Sequence, residues 1–351
     1  MTRVLAIETS CDETSASVMD GAGDSVSLRS LVILSQDVHR VYGGVVPELA
    51  SRAHLTAIEP VTRRALSEAN AELDSVDVFA VTMGPGLVGA LLVGVGFVKA
   101  LAFARRRPLV GVHHMEGHLF ATSLEHPGAL PPFTALLVSG GHTLLLDVEA
   151  WGRYRILGRT RDDAAGEAFD KVAKKLGLPY PGGPHLERLA REGQAGRLRF
   201  TRPMLRKNQA PADADYYDVS FSGLKTAVMT HLQTEDRSRE AGDRSVNADI
   251  AYAFQDALVD TLVEKTARAL EQHQRDRVVL GGGVACNKAL VNAMKERMDS
   301  LGATVYAPTA RLASDNAAMI ARAGLYHFER GQRDGLDLNA HATLTIPGLI
   351  S

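Results

Sequence analysis

Apolar and polar positions divide the chain into short strands and amphipathic helices. "RVLAIET" (3–9) is an apolar run, "SCDET" a polar turn, and "SASVMDG" (15–21) alternates like a returning strand. "LRSLVILSQ" (28–36) reads as a third strand. From Pro47 to Asn70, Leu49, Ala53, Ile58, Val61 and Ala65 recur at helical spacing, with Pro47 suited to the first turn. "VDVFAVTM" (76–83) is a buried strand, and "GPGLVGALLVGVGFVKALAFARRR" (84–107) turns through glycines into a long helix. "PLVGV" (108–112) leads straight into a helix bearing His114 and His118.

The opening pattern returns near residue 134. "FTALLVSGGHTLLLDVE" (133–149) is again strand, small polar turn, strand. Helices follow at 164–176 and 247–273, then "RVVLGGGVACNKALVNAMKERM" (277–298) as strand, glycine turn and helix. A last helix starts at "SDNAAMIARAGLYHF" with Ser314 as its expected N-cap, and the tail beyond Gly331 is expected to drape on the surface. This repetition predicts an α/β protein of two lobes, with duplicated mixed sheets flanked by helices and the hairpin tips facing a central cleft. The expected N-terminal lobe is 1–112 plus about 325–351. Residues 113–324, with the metal and nucleotide elements, form the expected C-terminal lobe.

A chain of 351 residues is long enough for two such lobes. The formal charge of −2 gives no global field for nucleic acid, so contacts with RNA fall to local clusters. "RLRFTRPMLRK" (197–207) and Arg105 to Arg107 are the candidates. Two cysteines, Cys11 and Cys286, exclude a disulfide framework; both are expected to be packed residues rather than nucleophiles. The N-terminus lacks signal-peptide character, and the apolar stretch 90–104 is broken by Gly94, Gly96 and Lys99. No membrane association and a cytoplasmic location are therefore expected.

His114 and His118, four apart, share a helix face, so they either ligate one metal ion or are a pair of packed or surface histidines. A zinc-protease helix places its general-base glutamate directly after the first histidine, where Met115 stands here. Glu116 points roughly 200° from His114, away from such a metal. Asp315, at the head of the last helix, is the candidate third ligand, although it would equally serve as a first-turn acid. Two histidines and a carboxylate leave positions open and suit Fe(II) as well as Zn(II).

"GPGLVG" (84–89) matches a dinucleotide fingerprint, but no acidic residue follows at the distance a ribose partner needs. These glycines read as a tight turn and close helix packing. "VSGGHT" (138–143) and "GGGVACNK" (281–288) are stronger candidates for binding phosphate or nucleoside, since consecutive glycines let backbone N–H groups converge on an anion. The alternative for each is a turn that needs glycine only for positive φ. No Walker sequence occurs.

"ETSCDETSASV", "GGVVPELASRAH", "GPGLVGALLVG", "HHMEGHL", "LVSGGHT", "DDAAGEAFDKVAKKLGLPYPGGP", "SFSGLKTAV", "GGVACNKAL" and "SDNAAMIA" occur in this order. Together they resemble the bacterial tRNA threonylcarbamoyladenosine transferase family, formerly labelled O-sialoglycoprotein endopeptidases. The resemblance runs from about residue 3 to 330 and implies the fold of actin, Hsp70 and sugar kinases. It implies transfer of threonylcarbamoyl from threonylcarbamoyl-adenylate to the exocyclic amine of the adenosine beside the anticodon, in tRNAs reading codons that begin with A. It further implies one metal, recorded as iron, on His114, His118 and Asp315. Leu137, Val138, Ser139, Gly140 and Gly141 would line the substrate. Asp170, Gly183 and Asn287 would hold its nucleoside end, with Glu187 standing where relatives often have aspartate. Asp12 is the candidate for positioning or deprotonating the attacking amine. The implied partners are tRNA, a noncatalytic paralogue forming a heterodimer, and a small P-loop ATPase. A metallopeptidase and a kinase or ATPase of the same fold are the competing readings.

Overall fold

The computed structural model describes residues 1–235 and 244–350. Three strands open the chain, β1 (Thr2–Glu8), β2 (Glu13–Ala22) and β3 (Ser25–Ser35), followed by α1 (Pro47–Glu68), β4 (Val78–Gly84), α2 (Val88–Arg105), β5 (Leu109–His113) and α3 (His114–Ala121). A second series follows: β6 (Phe133–Val138), β7 (Thr143–Ala150), β8 (Arg153–Arg159), α4 (Ala165–Lys175), α5 (Gly182–Ala190), α6 (Ser222–Glu235), α7 (Arg244–Gln272), β9 (Arg277–Gly281), α8 (Lys288–Asp299) and β10 (Thr304–Tyr306). The chain then forms α9 (Ala310–Ala313) and α10 (Ala317–Glu329).

The sheets are orders β3-β2-β1-β4-β5 and β8-β7-β6-β9-β10. In each, the first three strands pair antiparallel and the last two add in parallel. The sheet is thus built twice from one plan, as the repeated strand–turn–strand pattern predicts. Val4 to Ile7 and Val78 to Val81 are buried on both faces, which explains why these strands read as continuous apolar runs rather than alternating ones.

Two compact units result: Met1–Gly128 with Pro308–Pro347, and Ala129–Ala307 with the residues from Gly348. The expected boundaries at 112/113 and 324/325 do not coincide with them. The reason is α10, which packs against β1, β2, β4 and α3 and keeps the histidine helix in the first unit. Gly117 on α3 makes this approach close, since a Cβ there would stand 3.0 Å from Ile320 Cδ1.

Three further expectations need correction. The N-cap of α10 is Asn316, whose side chain accepts from Met319 N, so Ser314 lies outside the cap. The buried face of α1 is Ala50, His54, Ile58, Val61, Thr62 and Ala65, while Leu49 is only partly buried. The tail drapes on the surface as expected and is held there: Asp334 N donates to Leu109 O, His341 N to Met83 O, and Lys99 Nζ to Leu338 O. Finally, α2 is long and apolar enough to cross a membrane by composition, despite its internal glycines. Its residues Ala90, Leu91, Gly94, Val95, Val98 and Ala102 are buried, and it packs on α1 and β4.

Candidate metal centre and glycine-rich turns

His114 opens α3 and His118 follows one turn later, so both rings leave the same face. The ring centroids are 4.8 Å apart and nearly perpendicular. Asp315 stands one residue before the α10 N-cap, outside the first turn of the helix. Its Oδ1 lies 3.5 Å from His114 Nε2 and 3.3 Å from His118 Nε2. Three ligands about 2.1 Å from one ion would be about 3.0–3.4 Å apart; the two histidine–aspartate distances lie close to that range, and all three ligand atoms lie within 4.8 Å of one another. His118 is fully buried and neither ring nitrogen makes a hydrogen bond. A buried imidazole of that kind is costly unless something else takes its lone pair. The residues therefore fit a single divalent ion.

Carboxylates surround this trio. Glu8, fully buried at the end of β1, accepts from Ser10 N and Thr82 Oγ1, and its Oε2 lies 3.3 Å from His114 Nδ1. Burial lowers the His114 pKa, but Asp315 and Glu8 outweigh it and raise the imidazole to about 9 in the metal-free protein. Asp12 sits in the β1–β2 turn, half-buried and hydrogen-bonded to Glu13. Burial, then the charges of Asp315 and Asp12, push the Glu13 carboxyl up to about 10. The turn is held from α1 by buried His54, with Nδ1 2.8 Å from Thr14 Oγ1 and Nε2 3.0 Å from Cys11 O. Glu116 faces away, as its angle on the helix predicts, and meets His327 Nε2 at 2.7 Å.

In the second unit the glycine-rich turns come together around the ends of β6 and β9. Ser139 O accepts from Gly166 N at the start of α4, and Ala165 N donates to Thr143 Oγ1. Gly282 has φ +84°, and a Cβ there would stand 2.4 Å from Val138 O, so turn geometry and close approach both require glycine. Gly140, Gly141 and Gly183 differ. None has positive φ, and a Cβ at any of them would meet nothing within 4 Å. Neither backbone nor packing demands glycine at these three positions.

The other expected residues lie nearby. Asp170 on α4 accepts from Gly182 N at the head of α5. Glu187 on α5 accepts from Lys288 N and Arg191, tying α5 to α8. Asn287 N-caps α8 and donates to Gln255 Oε1 at 2.9 Å. The side chains of Leu137 and Val138 are fully buried within β6, and the exposed part of that stretch begins at Ser139. "GPGLVG" is structural as expected, since a Cβ at Gly84 would stand 2.3 Å from His341 O and one at Gly86 2.6 Å from Ser10 O.

The family model for TsaD, tRNA N6-adenosine threonylcarbamoyltransferase, matches residues 27–322. The chain belongs to this family. A threonylcarbamoyltransferase of Gemmatimonas aurantiaca is 61% identical, covering 99% of this chain and 98% of the relative. One from an Anaeromyxobacter species is 50% identical over 96% and 98%. Among solved structures, HypF of T. kodakarensis aligns with a TM-score of 0.60 at 14% identity, over 93% of this chain and 48% of its own. Component A of the Acidaminococcus fermentans (R)-2-hydroxyglutaryl-CoA dehydratase gives 0.54 at 14%, over 94% and 99%. These two establish the shared actin-like fold.

Within this member of the threonylcarbamoyltransferase family, about half of the residues in the basic clusters have acidic partners. Arg197 pairs with Asp249, Arg202 with Asp256 and Asp260, Arg206 with Asp215, and Arg105 with Asp74. Burial, then Asp12, push the Cys11 thiol far up, so it offers no thiolate. Cys286 is exposed rather than packed. Glu8, Glu13, His54 and Gln255 went unnoticed in the sequence. A charge closing an otherwise apolar strand, as in "RVLAIE", was the available signal for Glu8.

Proposed function

We propose that the chain moves a threonylcarbamoyl group from threonylcarbamoyl-adenylate to N6 of the adenosine 3′ to the anticodon, in tRNAs reading codons that begin with A, and releases AMP. The family match over residues 27–322 carries this reading. The chemistry suits the side chains. The adenine N6 lone pair is delocalised into the ring, so the amine needs positioning and help in losing its proton. Asp12, steadied by its bond to Glu13, is assigned that role. The donor is already an activated acyl-adenylate, so no enzyme nucleophile is required, in keeping with the protonated Cys11 thiol.

His114, His118 and Asp315 would hold one divalent ion, Fe(II) in this reading with Zn(II) as the alternative, which supplies Lewis-acid stabilisation of developing negative charge. Ser139, Gly140 and Gly141 are assigned to the donor, the backbone N–H groups of Gly140 and Gly141 receiving its phosphate. Asp170, Gly183, Glu187 and Asn287 are assigned to its nucleoside. The bare glycines at 140, 141 and 183 support this, since a ligand passing close to the backbone would account for them.

The reaction is placed in the cytoplasm, with a noncatalytic paralogue and a small P-loop ATPase as partners. Leu55 on α1 and Val88, Leu92 and Phe103 on α2 are exposed apolar side chains on two helices that pack together, which supports such a partner. Incubating the chain and its partners with threonylcarbamoyl-adenylate and tRNA tests the reaction. AMP should appear in step with acylated tRNA. Acyl transfer absent while AMP is released at the same rate without tRNA would contradict it.

A further inference from the structure

Glu8 stands behind the metal trio and not in it. The Nε2 atoms of His114 and His118 both face Asp315, while Nδ1 of His114 faces Glu8 Oε2 at 3.3 Å and Ser10 Oγ at 3.2 Å. Glu8 itself is anchored: Ser10 N donates to Oε1, and Thr82 Oγ1 donates to Oε2. The carboxylate is fully buried and cannot turn away to solvent. A carboxylate accepts hydrogen bonds but cannot donate one. An imidazole facing it therefore keeps a proton on Nδ1, so that on metal binding it is Nε2, the atom facing Asp315, that gives up its proton and ligates.

We propose that Glu8 is a positioning residue that fixes the tautomer and ring orientation of His114 and so sets the affinity of the metal centre. The inference rests on the reading of His114, His118 and Asp315 as a metal site. It also explains why a charged side chain ends an apolar strand at the heart of the first unit. Outer partners of this kind orient ligating histidines and raise their basicity.

Glu8→Gln reverses the arrangement with almost no change in shape. Ser10 N would keep the amide oxygen at the Oε1 position, placing the amide NH2 against His114 Nδ1. Nδ1 must then accept, and the ring proton moves to Nε2, the atom facing Asp315. Zinc and cobalt affinities of the full, metal-free chain are measured by competition with a chromophoric chelator. Circular dichroism and thermal unfolding run alongside. Glu8→Gln should weaken binding about 10- to 100-fold with the fold retained. Ser10→Ala, which removes only the hydroxyl neighbour, should bind as wild type does, and Asp315→Ala should lose the high-affinity site.

A folded Glu8→Gln chain with wild-type zinc affinity overturns the role of Glu8 while leaving the metal site standing. Undiminished binding by Asp315→Ala overturns the metal site and the role of Glu8 with it. Should Glu8→Gln fail to fold, ¹⁵N-histidine NMR of the zinc-loaded wild type decides. The His114 Nδ1 proton, present whenever Nε2 ligates, is expected far downfield through its hydrogen bond to the Glu8 carboxylate; a shift ordinary for a zinc-bound histidine without a carboxylate partner overturns the proposal.

Discussion

Gly141→Ala separates a glycine kept for a ligand from one kept for the fold. The structure places no atom within 4 Å of a Cβ at Gly141, and its φ is not positive. Alanine there should be harmless, and by restricting the unfolded chain it should stabilise by about 0.4–1 kcal/mol. Gly282→Ala is the contrasting case. Its positive-φ extended backbone (φ 84°, ψ 163°) is essentially confined to glycine and costs a side chain roughly 1–3 kcal/mol, and contact with the Val138 carbonyl adds to that. If the Gly141 N–H serves the phosphate of the donor, a methyl group over that backbone displaces one charge-assisted hydrogen bond. The loss is about 1.5–3 kcal/mol, or roughly ten- to hundredfold in Kd. The assay pairs chemical denaturation with calorimetric binding of a non-hydrolysable acyl-adenylate. Gly141→Ala should be at least as stable as wild type yet bind weakly. Unimpaired binding by a stable Gly141→Ala chain would refute the assignment, and a marked loss of stability would refute the structural premise.

Other consequences follow from the first unit. His113, next to the ligands, donates through Nε2 to Leu344 O, and burial lowers its pKa to about 4. Its folded pKa lies below the unfolded value, so its contribution is complete above pH 6.5 and falls as pH drops toward 4. The loss reaches about 3 kcal/mol, and pH-dependent denaturation of wild type against His113→Asn would show a shallower slope in the variant. Glu116→Gln should cost about 1–3 kcal/mol by weakening the His327 contact, and leave zinc affinity intact. A metal-binding defect in that variant would reopen the peptidase reading. Asp12→Ala should lose turnover while retaining donor and zinc binding; loss of binding would make Asp12 structural.

The sequence revealed those parts of the fold whose burial leaves a one-residue signature. β1 and β4 are sealed on both faces and read as unbroken apolar runs. β8 alternates arginines with apolar residues, and β10 spans only Thr304 to Tyr306, so neither stood out from loop. The buried face of α1 includes His54, a polar residue made acceptable inside by Thr14 and the Cys11 carbonyl, partners 40 and 43 residues away. Such pairings do not show in spacing. The histidine pair was legible because both ligands share one helix. Asp315 was legible only as an acid near a helix start, and the Asn316 cap shifts that start by two residues from the expected Ser314. In the second unit, a glycine required by φ, such as Gly282, looks the same in one dimension as a bare one such as Gly141.

Nucleoside mass spectrometry of tRNA tests the account at its centre. Unmodified tRNA is incubated with the chain, its partners and threonylcarbamoyl-adenylate, with a His114→Ala, His118→Ala chain in parallel. The account predicts threonylcarbamoyladenosine at the position 3′ to the anticodon with the wild-type chain, abolished by the double substitution. Equal product from both chains would contradict the role given to the metal centre. No product from the folded, metal-loaded wild type would contradict the transferase reading itself.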